Sequence, residues 1–148
     1  MKGKKRVGVI LLALAMILLV GCEARREGTN VEDGMNVSIV SVLTFPEKHN
    51  EQQCSIRAVL GAGETGLILY PSKYDVEEPD HLNGIWLGTY EEVTCISKEE
   101  AKALHGEYVT VTGTIRAKKK GPGDGYNCEM DTITSITKLK QVNPTPKG

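Results

Sequence analysis

The sequence predicts a mainly β domain: a small five-stranded barrel with one helix between its third and fourth strands. Three observations carry this. Apolar and polar residues alternate in Cys54–Leu60 and Tyr108–Arg116, the period of a half-buried strand. Gly- and Pro-rich stretches punctuate the chain at short intervals, as turns between short strands do. Between two groups of such strands lies one strong helix start, Ser97 followed three residues later by Glu100.

Each element follows in turn. Val37–Phe45 is apolar and β-branched, which by propensity favours a strand, and Pro46 ends it. Cys54, Ile56, Ala58 and Leu60 alternate with Ser55, Arg57 and Val59 as the first long strand. Gly61–Gly66 is a turn, Leu67–Tyr70 a strand stopped by Pro71, and Ser72–Asn83 a long loop. Gly84–Leu87 begins a third strand around Trp86, extended in broken form toward Ile96. The Ser97/Glu100 capping box opens the helix, Ala101 and Leu104 give it an apolar face, and Gly106 is its left-handed stop. In Tyr108–Arg116, Val109, Val111, Gly113 and Ile115 face one way and Thr110, Thr112 and Thr114 the other. After the Lys118–Asn127 turn comes Met130–Leu139, where Ile133, Ile136 and Leu139 recur in threes and predict a bulge. This order is that of an OB-like Greek-key barrel, with an open five-stranded sheet under one helix as the alternative.

The chain has 148 residues, enough for one domain, and a formal net charge of −1. Its first residues are unlike the rest. Lys2, Lys4, Lys5 and Arg6 precede an apolar run, Val7–Val20, too short to span a bilayer comfortably. The residues Leu19-Val20-Gly21-Cys22 resemble a bacterial lipobox. That resemblance implies a diacylglycerol on the Cys22 sulfur and cleavage before it. The expected organisation is a signal peptide at 1–21, which forms an N-terminal signal helix, a flexible tether at 22–36, the barrel at 37–142 and a disordered tail at 143–148. Two or more acyl chains hold firmly where one holds weakly. Glu23 in place of Asp after the lipidated Cys favours the outer membrane, facing the periplasm, in a Gram-negative cell.

Without residues 1–21 the chain keeps 14 basic and 19 acidic residues, net −5. A protein that tracks phosphate backbones shows a basic footprint, so nucleic acid is excluded as an expected partner. Gly61-x-Gly63-x-x-Gly66 has the spacing of a dinucleotide fingerprint, yet Leu-Ile-Leu-Tyr-Pro follows it where a helix is required. His49, His81 and His105 show no metal-ligand spacing. No nucleophile elbow or paired-acid signature is visible, so no catalytic, cofactor or metal residue is expected. An extracytoplasmic location permits one disulfide between two of Cys54, Cys95 and Cys128. Lys118–Lys120 sits in a turn that flanks the binding face of many such barrels. Tyr70, Tyr74, Trp86, Tyr90, Tyr108 and Tyr126 are candidates for stacking on a sugar or peptide.

The segments Val37-Ser-Ile-Val, Phe45-Pro-Glu-Lys-His49, Leu69-Tyr-Pro-Ser72, Asn83-Gly-Ile-Trp-Leu87 and His105-Gly-Glu-Tyr-Val-Thr-Val-Thr-Gly-Thr114 together resemble a largely uncharacterised group of small bacterial proteins with an OB-like domain. The resemblance spans about residues 37–139 and implies a short helix before the first barrel strand. It implies no catalytic residue. The expectation is a lipid-anchored cell-envelope protein with a binding or structural barrel, its partners the membrane through Cys22 and an envelope protein or saccharide. The alternative is a small extracytoplasmic enzyme whose site assembles only in the fold.

Overall fold

The computed structural model describes residues 34–140. The signal segment, Cys22, most of the tether and the 143–148 tail lie outside the described residues. Six strands form one sheet: β1 (Met35–Ser38), β2 (Gln53–Ala62), β3 (Leu67–Tyr70), β4 (Ile85–Gly88), β5 (Tyr108–Arg116) and β6 (Cys128–Lys138). Their order is β1-β2-β3-β4-β6-β5, and β5 pairs again with β2. The last five strands therefore close a barrel. Its ladders are antiparallel except for a short parallel one, Ile85 opposite Cys128 and Trp86 opposite Glu129. The helix lies between the third and fourth barrel strands, as expected.

β2 closes the barrel because it is long enough to serve two neighbours. Gln53–Val59 pairs with β5, and Val59–Ala62 pairs with β3. The other edge of its first half is taken by β1, parallel, from Met35 opposite Cys54 to Ser38 opposite Arg57. Met35 and Asn36, assigned to the tether by composition, are thus the first residues of the sheet. After Ser38 the chain turns into helix α1 (Ile39–Thr44). Ile39 and Val42, three apart, are buried against the barrel, and this burial overrides the strand propensity of the segment. The helix implied by the family resemblance is present, and the strand suggested by propensity survives only in Val37 and Ser38.

The loop expected at Ser72–Asn83 is more ordered than its composition indicates. Ser72 caps a five-residue helix, α2 (Lys73–Glu77), and Asp80 caps a 3-10 turn at His81–Asn83. No strand continues β4 toward Ile96; residues 89–96 are turns and irregular backbone. α3 (Lys98–Ala103) carries the predicted capping box: Glu100 N–H donates to Ser97 Oγ at 3.2 Å, and Ser97 N–H donates to Glu100 Oε2 at 3.0 Å. Gly106, at φ +75°, then donates its N–H to the Leu60 carbonyl. The predicted bulge is in β6, where Thr132–Thr134 stand opposite the single residue Gly113. A Cβ on Gly113 would lie 2.8 Å from Ile133 Cδ1 and 2.9 Å from the Asp131 carbonyl, so the crossing requires glycine.

The barrel interior is filled by inward residues such as Ile56, Leu60, Leu69, Val111 and Met130. A second apolar cluster, Val59, Ile68, Tyr70, Val76, Trp86 and Tyr126, forms on the outside. It covers the outer side of β3 and β4.

Candidate functional site

Alternation along β1, β2, β5 and β6 sends apolar side chains inward and leaves polar ones outside. Cys54, Ile56 and Ala58 are buried, while Ser55 is half-buried and Arg57 exposed. Register then aligns the outward residues across all four strands. One row reads Ser38, Arg57, Thr110, Thr137; the next reads Asn36, Ser55, Thr112, Ser135. Each row crosses three inter-strand gaps of roughly 4.8 Å, about 14 Å in all.

The rows are rich in hydroxyls, each able to donate and accept. Thr112 is buried by its neighbours, and its hydroxyl lies 3.1 Å from Ser55 Oγ. Arg57 is the one cation in these rows and makes no ion pair among the described residues. Asn36, Ser38, Ser55 and Arg57 line a shallow groove of about 440 Å³ with Val37 and Ile39. On the same outward side of β5, Tyr108 stands two residues before Thr110 and is 43% exposed, with Lys73 Nζ 5.8 Å from its ring centre. A flat aromatic edge beside rows of hydroxyl, amide and guanidinium groups suits a polyhydroxylated ligand.

The aromatic candidates divide sharply. Tyr70, Trp86 and Tyr126 are buried in the outer cluster, with Trp86 and Tyr126 ring centres 5.1 Å apart. Burial, helped by Tyr126, Asp75 and Asp80, pushes the Tyr70 phenol up to about 12. It lies 3.4 Å from His81 Nδ1. The Tyr90 hydroxyl donates to the Gly63 carbonyl at 2.6 Å. Only Tyr74 and Tyr108 remain as exposed aromatics of that set.

The other candidates serve the fold. Gly63 and Gly66 close the β2–β3 hairpin, Gly63 N–H donating to the Gly66 carbonyl at 3.0 Å, and a strand follows where a dinucleotide site needs a helix. His105 Nδ1 accepts from Ala62 N–H at 3.0 Å, and His49 Nε2 lies 3.0 Å from Ser41 Oγ. No three of His, Cys, Asp or Glu gather as metal ligands among the described residues. Cys54, Cys95 and Cys128 are free thiols; Cys54 and Cys128 are buried in the barrel interior and Cys95 is exposed. Burial pushes the Cys128 thiol up to about 12 and also raises Cys54, so neither is an effective thiolate nucleophile. Lys119 is held by Asp131 at 3.3 Å and Glu129 at 3.8 Å, whereas Lys118 and Lys120 border a separate groove.

Sequence alternation placed Thr110 and Thr112 on one face. What it could not supply was their alignment with Ser38 and Arg57, because β1 was hidden in a polar stretch.

No family model matches the chain, and no curated protein matches it. Among solved structures it is similar to a DUF3299 family protein from Pseudomonas aeruginosa PAO1, at 11% identity and a TM-score of 0.46, over 65% of this chain and 66% of that one. It is also similar to a putative aspartyl-tRNA synthetase from Leishmania major Friedlin, at 12% identity and a TM-score of 0.41, over 90% of this chain and 28% of that one.

Proposed function

We propose that this chain is a lipid-anchored cell-envelope protein whose barrel binds a saccharide on the outer face of β1, β2, β5 and β6. The observation that carries the binding reading is the pair of cross-strand rows, with the exposed Tyr108 next along β5 from Thr110. Rows of hydroxyls match the alternating donors and acceptors of a sugar, and each net hydrogen bond contributes about 0.5–1.5 kcal/mol. A single cation across eight positions, on a chain of net charge −5 after residue 21, suits a neutral or weakly anionic glycan better than a phosphate polymer. The anchor reading rests on the basic start, the apolar run and Leu19-Val20-Gly21-Cys22.

Two experiments test the two halves. Sedimentation with isolated envelope polysaccharide should retain the wild-type chain and lose it on replacing both Arg57 and Thr110 with Ala. Equal retention of that double variant rejects the face as the site. Cys22→Ser should leave a precursor that incorporates no fatty acid, and normal fatty-acid labelling of that variant refutes the anchor.

A further inference from the structure

We infer that a second surface of the domain, carrying Phe45 and Leu82, rests on the headgroups of the bilayer that holds Cys22. This rests on the anchor reading above and adds to it a direct contact between protein and lipid.

The connection between anchor and domain is short. Eleven residues separate Cys22 from Gly34. Whatever its conformation, a chain of that length reaches at most about 40 Å. β1 and α1 follow at once, and Phe45 comes directly after α1. The surface around α1 is therefore held near the membrane, where even weak affinity counts, since a short tether gives a millimolar effective concentration.

That surface has the chemistry of an interfacial contact. Phe45 is 51% exposed and Leu82 is 64% exposed. Leu82 lines an open groove of about 560 Å³ with Pro46, Lys118 and Lys120. Lys48 Nζ sits 4.1 Å from the centre of the Phe45 ring, a cation over an apolar face. Lys118 and Lys120 make no ion pair among the described residues. Glu47 and Asp124 border the groove as well, balancing Lys118 and Lys120, and Lys48 over the Phe45 ring adds a third cation beside it. The patch is held in shape: Asn127 Nδ2 donates to the Leu43 carbonyl at 3.0 Å, tying α1 to the 117–127 loop. Apolar side chains seat among acyl chains while lysines stay with anionic headgroups.

Sedimentation with vesicles tests this without the acyl chains. The probe is residues 22–148 with Cys22→Ser, whose barrel closes wholly within Gln53–Lys138. It should co-sediment with vesicles of equal parts phosphatidylglycerol and phosphatidylcholine, less with phosphatidylcholine alone, and less as salt rises. Lys118→Glu with Lys120→Glu should lower partitioning by on the order of tenfold or more, since each basic residue contributes roughly fivefold at an anionic surface. Phe45→Ser with Leu82→Ser should also lower it while leaving the thermal midpoint in place. Wild type that stays in solution with anionic vesicles, or variants that bind as wild type does, overturn the inference. So does a monomer–dimer shift in the Phe45→Ser/Leu82→Ser variant without a change in lipid binding, which would assign the patch to a second copy. The anchor is read separately, from the mass of the native N-terminus: acyl chains there with no vesicle binding here defeat only the inference.

Discussion

Over β3 and β4 the protein's own side chains cover the barrel's outer surface, Val76 and Tyr126 packing with Tyr70 and Trp86; over β1, β2, β5 and β6 the rows of hydroxyls have only one another for cover, which is enough to bury Thr112 but leaves Ser38 and Arg57 exposed. Both halves are built by the same alternation of side chains. They differ in what lies above them. α2 supplies Val76 and the β5–β6 loop supplies Tyr126, so outward residues under them are apolar and act as a second core. Gly121, at φ +64°, lets that loop approach: a Cβ there would lie 2.7 Å from the Tyr126 ring. Nothing among the described residues covers Arg57 and Ser38. The lesson is that one wall of a small barrel becomes a second core where the chain's own elements lie over it, and stays polar where none does.

The largest effect that sharpens this contrast is Trp86→Ala. Trp86 is 4% exposed, and its loss should cost about 3–5 kcal/mol in urea unfolding. A cost below about 1 kcal/mol would mean the covered half is not a core. Gly113→Ala, where β5 crosses the bulge, should cost about 1–3 kcal/mol through overpacking, seen as a lower thermal midpoint. Ser97→Ala removes the cap of α3 and should cost about 1 kcal/mol, a change confined to the helix between the two halves of the chain. On the open half, Arg57→Ala and Thr110→Ala should each stay within about 0.5 kcal/mol of wild type by the same unfolding measurement.

The smallest effect concerns acid. Burial alone would raise the Asp131 carboxyl, but hydrogen bonds from Arg116, Thr132 and Lys119 outweigh it and hold it below its ordinary value of 3.8. Its stabilising contribution is therefore complete above that value and is lost as pH falls through the depressed one. Asp131→Asn should flatten the acid limb of the stability–pH curve. The change should be slight, because the pair is partly solvated.

These elements also show what was legible in the chain. The Ser97/Glu100 box acts within four residues, and the Tyr108–Arg116 alternation states its own faces, so both were readable locally. The bulge announced itself because Ile133 and Ile136 cannot share a face at period two. α2 was missed because five residues are too few for a helical period. In Val37–Phe45 β-branched propensity pointed one way and the burial of Ile39 and Val42 another, a contest decided only by the barrel beside it. Half the candidate face was readable from alternation, as Ser55 and Arg57 on one strand and Thr110 and Thr112 on another. Its other half depended on long-range register with β1 and β6, and composition alone could not separate buried Trp86 and Tyr126 from exposed Tyr108.

Backbone amide NMR during titration with soluble neutral oligosaccharides from the envelope tests the division between the two halves most directly. Saturable shifts should gather at Ser55, Arg57, Thr110 and Thr112, leaving Ile68 and Trp86 unmoved. Shifts centred on Trp86 and Tyr126, or none anywhere at saturating glycan, would contradict it.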